Sequence, residues 1–288
     1  MEGLLKTDWE QCYSRYIATV EFDNQQLKEL FLALLNSRDV LERERLWSEM
    51  RDQVLGSNEA FKLANPFYLG VGNPNSDILF VGREKAFNIG EHPELLVKES
   101  INNILQWKYI QANPNGNYLE ELGYNPLFPK AYHRQQLPPR HTWSIYSNIV
   151  AGLVGGGLTA RNLFVEADNI NQSLFNYCFS TELNHIPAAY NGGGNVVDAR
   201  KDLLRNDFYK KFSKVIVGVG QSASNELLRN LFGLNNAFEE VILGHNKAGE
   251  IRAQICIEGN RKVILCRQLS GAAGWTNAAL AKLVNQMH

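Results

Sequence analysis

Carboxylates and guanidinium groups stand just beyond three short apolar runs in this chain, where a strand would hand over to a loop. Ile78 to Val81 leads into Gly82-Arg83-Glu84, Leu174 to Phe179 leads into Ser180-Thr181-Glu182, and Lys262 to Cys266 leads into Arg267-Gln268-Leu269-Ser270. In open α/β sheets ligands bind outside the carboxyl ends of the strands. Three parallel neighbours would therefore bring all these groups to one edge. Two carboxylates at such an edge can hold each other's pKa apart, giving one acid and one base. Arg83 or Arg267 can instead pair with Glu84 and Glu182 and keep both ionised, which makes a strand-end ion-pair network without chemistry.

Other chemistries find less support. His92, His133, His141, His185 and His245 have no HxxxH, HExxH or Cys-His ligand spacing, so the reading includes no metal. Cys178 and Cys266 fall in predicted strands, where a cysteine behaves as a small buried hydrophobe. Gly155-Gly156-Gly157 lacks the Lys-Ser or Lys-Thr of a phosphate loop, and Gly192-Gly193-Gly194 lacks GxGxxG spacing. Gly218, Gly220 and Ser222 follow a strand and are better placed. They fit an anion at a helix N-terminus or simply a tight strand-to-helix turn. Phe87, three residues after Glu84, and Tyr68, Trp143 and Trp275 in or near loops offer faces for a flat ligand, or serve as loop anchors.

The elements that must position these groups alternate along the chain. Leu27, Leu30, Phe31, Leu34 and Leu35 follow the stripe of an amphipathic helix, and a second helix is expected through Leu41 to Val54, stopping at Gly56. Asn73 to Asp77 reads as a polar turn before the first strand. A helix is expected after His92-Pro93, broken by Asn113-Pro114-Asn115-Gly116. An irregular stretch with four prolines follows, then a helix after His141 capped by Thr142 or Ser144. Asn162 to Val165 fits a short strand or a helix end. Asp198 is expected to cap a helix to about Phe212. Lys214 to Val219 is a β-branched strand buried on both sides, followed by a helix with Ser222 as its cap. A meander closes the sequence, through Val241–Leu243, Ile251–Ile257, a Glu258-Gly259-Asn260 turn and Lys262–Cys266, before a final helix capped by Thr276. Strands alternating with helices argue for a three-layer α/β/α domain with a largely parallel central sheet over residues 61–288, and residues 1–60 form an N-terminal helical extension.

The chain is 288 residues long, 44% hydrophobic and 20% charged, which suffices for one sizeable core. The N-terminus lacks the basic-then-apolar pattern of a secretory signal, and no apolar run approaches the ~20 residues of a membrane helix. Four scattered cysteines without CxxC spacing fit a reduced, cytoplasmic protein. The net charge of -1 is unevenly laid out. Leu122 to Val165 has no acid but carries Lys130, Arg134, Arg140 and Arg161, and the tail after Glu258 has no acid but carries Arg261, Lys262, Arg267 and Lys282. Together they make a locally basic face, unless acidic neighbours neutralise it.

The strand leading to Gly82-Arg83-Glu84, the segment KVIVGVGQSASNELL and the closing VILCRQLSG together resemble the uracil-DNA glycosylase superfamily over roughly residues 65 to 288. The resemblance implies that fold, and hydrolysis of an N-glycosidic bond of an altered base in DNA without metal or organic cofactor. It puts Glu84 where the family's water-positioning residue stands and Gln268 where a histidine steadies the departing base. Ser270 matches the serine of that last motif, and Phe87 the aromatic that stacks on the base. Gly82 and Arg83 belong to the first motif, and Arg267 adjoins Gln268. The family's base-reading asparagine falls near Thr181 or Glu182, where this chain has none. A glutamate there prefers a ligand edge rich in donors, unlike that of uracil. The implied partner is DNA or a nucleobase-containing ligand. Two other readings stay open: a catalytically inactive nucleic-acid-binding protein on the same fold, and a hydrolase of small nucleosides.

Overall fold

The structure is a computed structural model that describes residues 25–37, 39, 41–42, 45–46, 48–50, 64–84, 96–101, 103–112, 125–127, 141–164, 170–187, 196–270 and 273–288. They divide into two compact units that interleave along the sequence. The first takes the described residues of 1–70, 84–126 and 184–203, and the second those of 71–83, 127–183 and 204–288.

In the first unit, α1 (Gln25–Asn36) buries Leu27, Phe31 and Leu34, three positions of the apolar stripe. The predicted stop at Gly56 lies outside the described residues, as does the His92-Pro93 start. The segment after it winds as a π-helical turn, Leu96–Ile101, and then as α2, Asn103–Ala112. Its buried polar side chains tie down the backbone ahead of the sheet. Asn103 accepts from Leu69 N–H at 2.9 Å and donates to the Gly70 carbonyl at 3.0 Å, and the Trp107 indole donates to the same carbonyl at 2.9 Å.

The second unit is built on a seven-stranded sheet ordered β1-β3-β2-β4-β7-β6-β5. The strands are β1 (Val71–Gly72), β2 (Ile78–Gly82), β3 (Cys178–Glu182), β4 (Lys214–Gly218), β5 (Glu239–Asn246), β6 (Gly249–Glu258) and β7 (Arg261–Cys266). β3, β2, β4 and β7 are mutually parallel, whereas β1, β6 and β5 run antiparallel to their neighbours. Among the parallel strands the chain starts at β2, steps to β3 on one side, then crosses to β4 on the other. The order therefore reverses between β2 and β4, the place where open α/β sheets leave a crevice at their carboxyl edge.

Along the second unit the helices are α3 (Thr142–Val154), α4 (Ala160–Phe164) and α5 (Leu174–Tyr177). α6 (Asp198–Leu204) leads into it from the first unit, and α7 (Asp207–Lys210), α8 (Asn225–Phe232) and α9 (Asn277–Met287) complete it. On one sheet face, Ile78, Phe80, Cys178, Ile216 and Ile264 pack with Tyr146 and Ile149 of α3 and Leu283 and Val284 of α9. Each large apolar side chain buried this way is worth about 1.5–3 kcal/mol. On the opposite face, Phe179 meets Phe208 edge-on at 5.2 Å and Phe212 at 5.9 Å.

Several local expectations change. Leu174 to Tyr177 is a helical turn, with Ser173 Oγ accepting from Phe175 N–H, and β3 begins only at Cys178. Asn162 to Phe164 is helical. The helix from Asp198 breaks at Leu204, because Asn206 caps a new turn by accepting from Phe208 N–H at 3.0 Å. Ser222 ends a 3-10 turn, and the cap of α8 is Ser224, which accepts from Leu227 N–H at 3.1 Å. His141 caps α3 in place of Thr142 or Ser144. Thr276 does cap α9, accepting from Ala279 N–H at 3.2 Å.

Candidate functional site

The parallel strands end together. Gly82 of β2 is the register partner of Glu182 of β3, and Gly218 of β4 is that of Cys266 of β7. Strand alternation places Gly82, Glu182 and Gly218 on the face covered by α3 and α9. Both glycines are filled by a neighbour. A Cβ at Gly82 would lie 2.1 Å from Glu182 Oε2, and one at Gly218 would lie 2.7 Å from Leu269 Cγ. Any side chain at Gly82 would displace the carboxylate, so the glycine fixes where Glu182 sits. Beneath it, Tyr146 stacks on Phe80 with centroids 4.0 Å apart. Burial first, and the Glu182 charge second, hold the Tyr146 phenol well above its ordinary range, while its hydrogen bond to Ser180 opposes them. The phenol therefore keeps its proton.

The other predicted residues of this unit divide. Thr181 is fully buried and points to the opposite face from Glu182. Arg83 is half-buried directly after β2. Arg267 donates to the Ala273 carbonyl at 2.8 Å and the Glu250 carbonyl at 3.0 Å, which holds the loop after β7 to the start of β6. Gln268 is exposed, and its backbone carbonyl accepts the Trp275 indole N–H at 2.9 Å. Ser270 is half-buried, its carbonyl accepting from Ala273 N–H at 3.1 Å. Phe87 lies outside the described residues.

Glu84 opens the next stretch of the first unit, and there it meets a residue that the strand-end pattern overlooks. Asn184 Nδ2 donates to Glu84 Oε2 across 3.4 Å, a long contact. Glu84 stands two residues past Gly82 and Asn184 two past Glu182, so the two occupy equivalent places after paired strands. Asn184 is 5% exposed. Because its NH2 faces a carboxylate, its Oδ1 is the acceptor left over, and among the described residues that atom meets no donor. A polar Asn-His pair just ahead of Ile186-Pro187 was the available signal for it.

His185 and Arg200 extend this group. Burial, then the Arg200 charge, push the His185 imidazole down to about 4, so the ring is neutral at physiological pH. Arg200 is fully buried on α6 and donates to the carbonyls of Tyr68 and, at 3.3 Å, Pro66, with its guanidinium 5.9 Å from the Tyr68 ring. Tyr68 itself is buried, an anchor for this loop.

Among the described residues no group of three His, Cys, Asp or Glu side chains is arranged to hold a metal ion. Burial pushes the Cys178 thiol far up and Cys266 to about 12, so neither supplies a thiolate. No helix among the described residues is long and apolar enough to cross a membrane. Comparison with known proteins gives no relative to argue from: no protein-family model, curated protein or solved structure matches this chain.

Proposed function

We propose that the chain is a divergent uracil-DNA glycosylase-like protein that hydrolyses the N-glycosidic bond of an altered base. The observation that carries this reading is the contact between Glu84 and Asn184 just past two paired parallel strands. Four central parallel strands with side chains of helical segments packed on both faces support the three-layer arrangement that the resemblance implies.

In this reading Asn184 orients the Glu84 carboxylate through Oε2, and the carboxylate accepts a hydrogen bond from the attacking water. That water attacks the anomeric carbon, the C–N bond breaks with its electron pair going to the base, and Glu84 takes the proton that finally neutralises the base. Asn184 Oδ1, buried and lacking a donor among the described residues, takes an N–H of the base. The amide thereby supplies, two residues further on, the base-reading group that Thr181 and Glu182 do not provide.

The test is base release from single- and double-stranded DNA carrying uracil, hypoxanthine or other altered bases, read as strand cleavage at abasic sites. Wild type is expected to give product, and Glu84→Gln to slow it by about 10²–10⁴. No abasic product from any substrate, or equal rates for the Gln variant, would overturn the proposal. Activity on free nucleosides but not on DNA would move it to the small-nucleoside reading.

A further inference from the structure

A second cluster of buried polar groups lies within the first unit and does not rest on the roles given to Glu84 and Asn184. Asn65 and Ser100, both 0% exposed, meet where the turn ahead of β1 packs on the π-helical segment Leu96–Ile101. The Asn65 backbone N–H donates to Ser100 Oγ at 3.0 Å. Asn65 Oδ1 accepts from Phe67 N–H at 2.9 Å, and this bond fixes the amide, because a flipped side chain would set its NH2 against another N–H. Nδ2 is therefore the atom left over, and among the described residues it meets no acceptor. Ser100 is in the same position. Its oxygen takes the Asn65 N–H, and no acceptor among those residues takes its proton.

We propose that Asn65 Nδ2 and the Ser100 hydroxyl together bind one small hydrogen-bond acceptor, a water molecule or a halide ion, enclosed in the first unit. Buried donors without an acceptor carry the full cost of their desolvation, and an internal water or ion is the usual remedy. The neighbouring amide is already committed: Asn103 Oδ1 takes the Leu69 N–H and its Nδ2 gives to the Gly70 carbonyl. Arg200, which donates to the Pro66 carbonyl at 3.3 Å, has no acceptor to offer. Ala64, Phe67, Tyr68 and Asn103 are all buried, so the occupant is no larger than a water, about 30 Å³. A buried carboxylate, Glu99, and the buried Arg200 guanidinium stand in the same unit, and their opposite charges admit either a neutral or a monovalent occupant. Held there, the acceptor ties the Asn65 turn to the π-helical turn beside the direct bond from Asn65 N–H to Ser100.

The experiment is a crystal structure of the full chain grown with sodium bromide, with diffraction measured at the bromine absorption edge. One density peak in hydrogen-bonding contact with both Asn65 Nδ2 and Ser100 Oγ is expected. An anomalous signal at that peak identifies a halide, and a peak without one identifies water; either supports the inference. Crystals of Ser100→Ala should lose the peak, because one of its two donors is gone. Should that variant fail to fold, the wild-type map decides by itself. No peak in the wild-type map, a peak touching only one of the two residues, an Asn65 NH2 turned onto a protein carbonyl, or a peak that persists unchanged in folded Ser100→Ala would overturn the inference.

Discussion

His185 shows how one half-buried side chain sets a pH dependence for the fold. Burial and the Arg200 charge lower its pKa from the ordinary 6.5 to about 4 in the folded chain. Between those values the unfolded chain binds a proton that the folded chain does not. Stability is then fully present above the unfolded pKa and falls as pH drops through the window from 6.5 toward 4. With the ring partly exposed, the loss between about pH 7 and about pH 4.5 should be about 1–2 kcal/mol. Urea unfolding of wild type and His185→Gln at both pH values checks this. Carboxylates contribute to both proteins alike, so the quantity to read is the difference between their pH slopes, with the variant flatter. Parallel slopes would mean the ring is not held neutral. The same residue illustrates what the sequence conceals. His185, Asn184 and Arg200 are polar residues that a pattern of apolar runs assigns to the surface, yet Arg200 is fully buried and Asn184 nearly so. Only the folded contacts with Pro66, Tyr68 and Glu84 distinguish them.

At the scale of elements, Arg261 at the start of β7 joins the sheet to the helices on its second face. Its guanidinium donates to the Phe232 carbonyl at 2.6 Å, to Phe212 at 3.2 Å and to Tyr209 at 3.3 Å, where α8 and α7 run out of internal partners. Removing it leaves three carbonyls without that donor, and hydrogen bonds to a charged group are worth about 1.5–3 kcal/mol each. The effects are not additive, so Arg261→Met should lower unfolding stability by about 2–4 kcal/mol. Arg261→Lys should recover only part of it, because an ammonium cannot reach three carbonyls at once. A loss below about 0.5 kcal/mol in the Met variant would show that water satisfies those helix ends. Elements like these were unevenly legible in the sequence. β4 reads plainly because Val215, Ile216 and Val217 are β-branched and buried on both faces. The Leu174–Phe179 run does not, since its apolar residues serve a helical turn first and a strand afterwards, and periodicity cannot separate the two. Ser222 and Ser224 both qualify as caps by type, and the 3-10 turn that takes in Ser222 decides between them. The shared carboxyl edge of β2, β3 and β7 was legible. That Arg267 serves a loop, and that Asn184 meets Glu84, was not.

For the whole molecule, the question is how much of its basic sequence faces outward. The acid-free tail carries four cations, but Arg261 and Arg267 are engaged with backbone carbonyls, and Lys262 Nζ donates to the Gln286 carbonyl at 3.1 Å. Lys282 is exposed on α9. Three of the four side chains are therefore tethered to carbonyls, which limits how far they reach toward a phosphate and argues against binding driven by this tail alone. Counterion release makes this measurable, because each neutralised phosphate steepens the dependence of log K on log salt by about 0.9 on duplex DNA. Anisotropy titrations of a labelled duplex between about 50 and 200 mM salt should show Lys282→Gln flattening the slope by no more than about 0.9. Lys262→Gln should leave the slope unchanged while weakening the fold slightly. Equal flattening by both variants would mean that Lys262 leaves Gln286 to meet a phosphate, and the tail would then count as a nucleic-acid surface. If neither wild type nor variants bind with any salt dependence, polyanion recognition is removed from the readings and the small-nucleoside hydrolase is left.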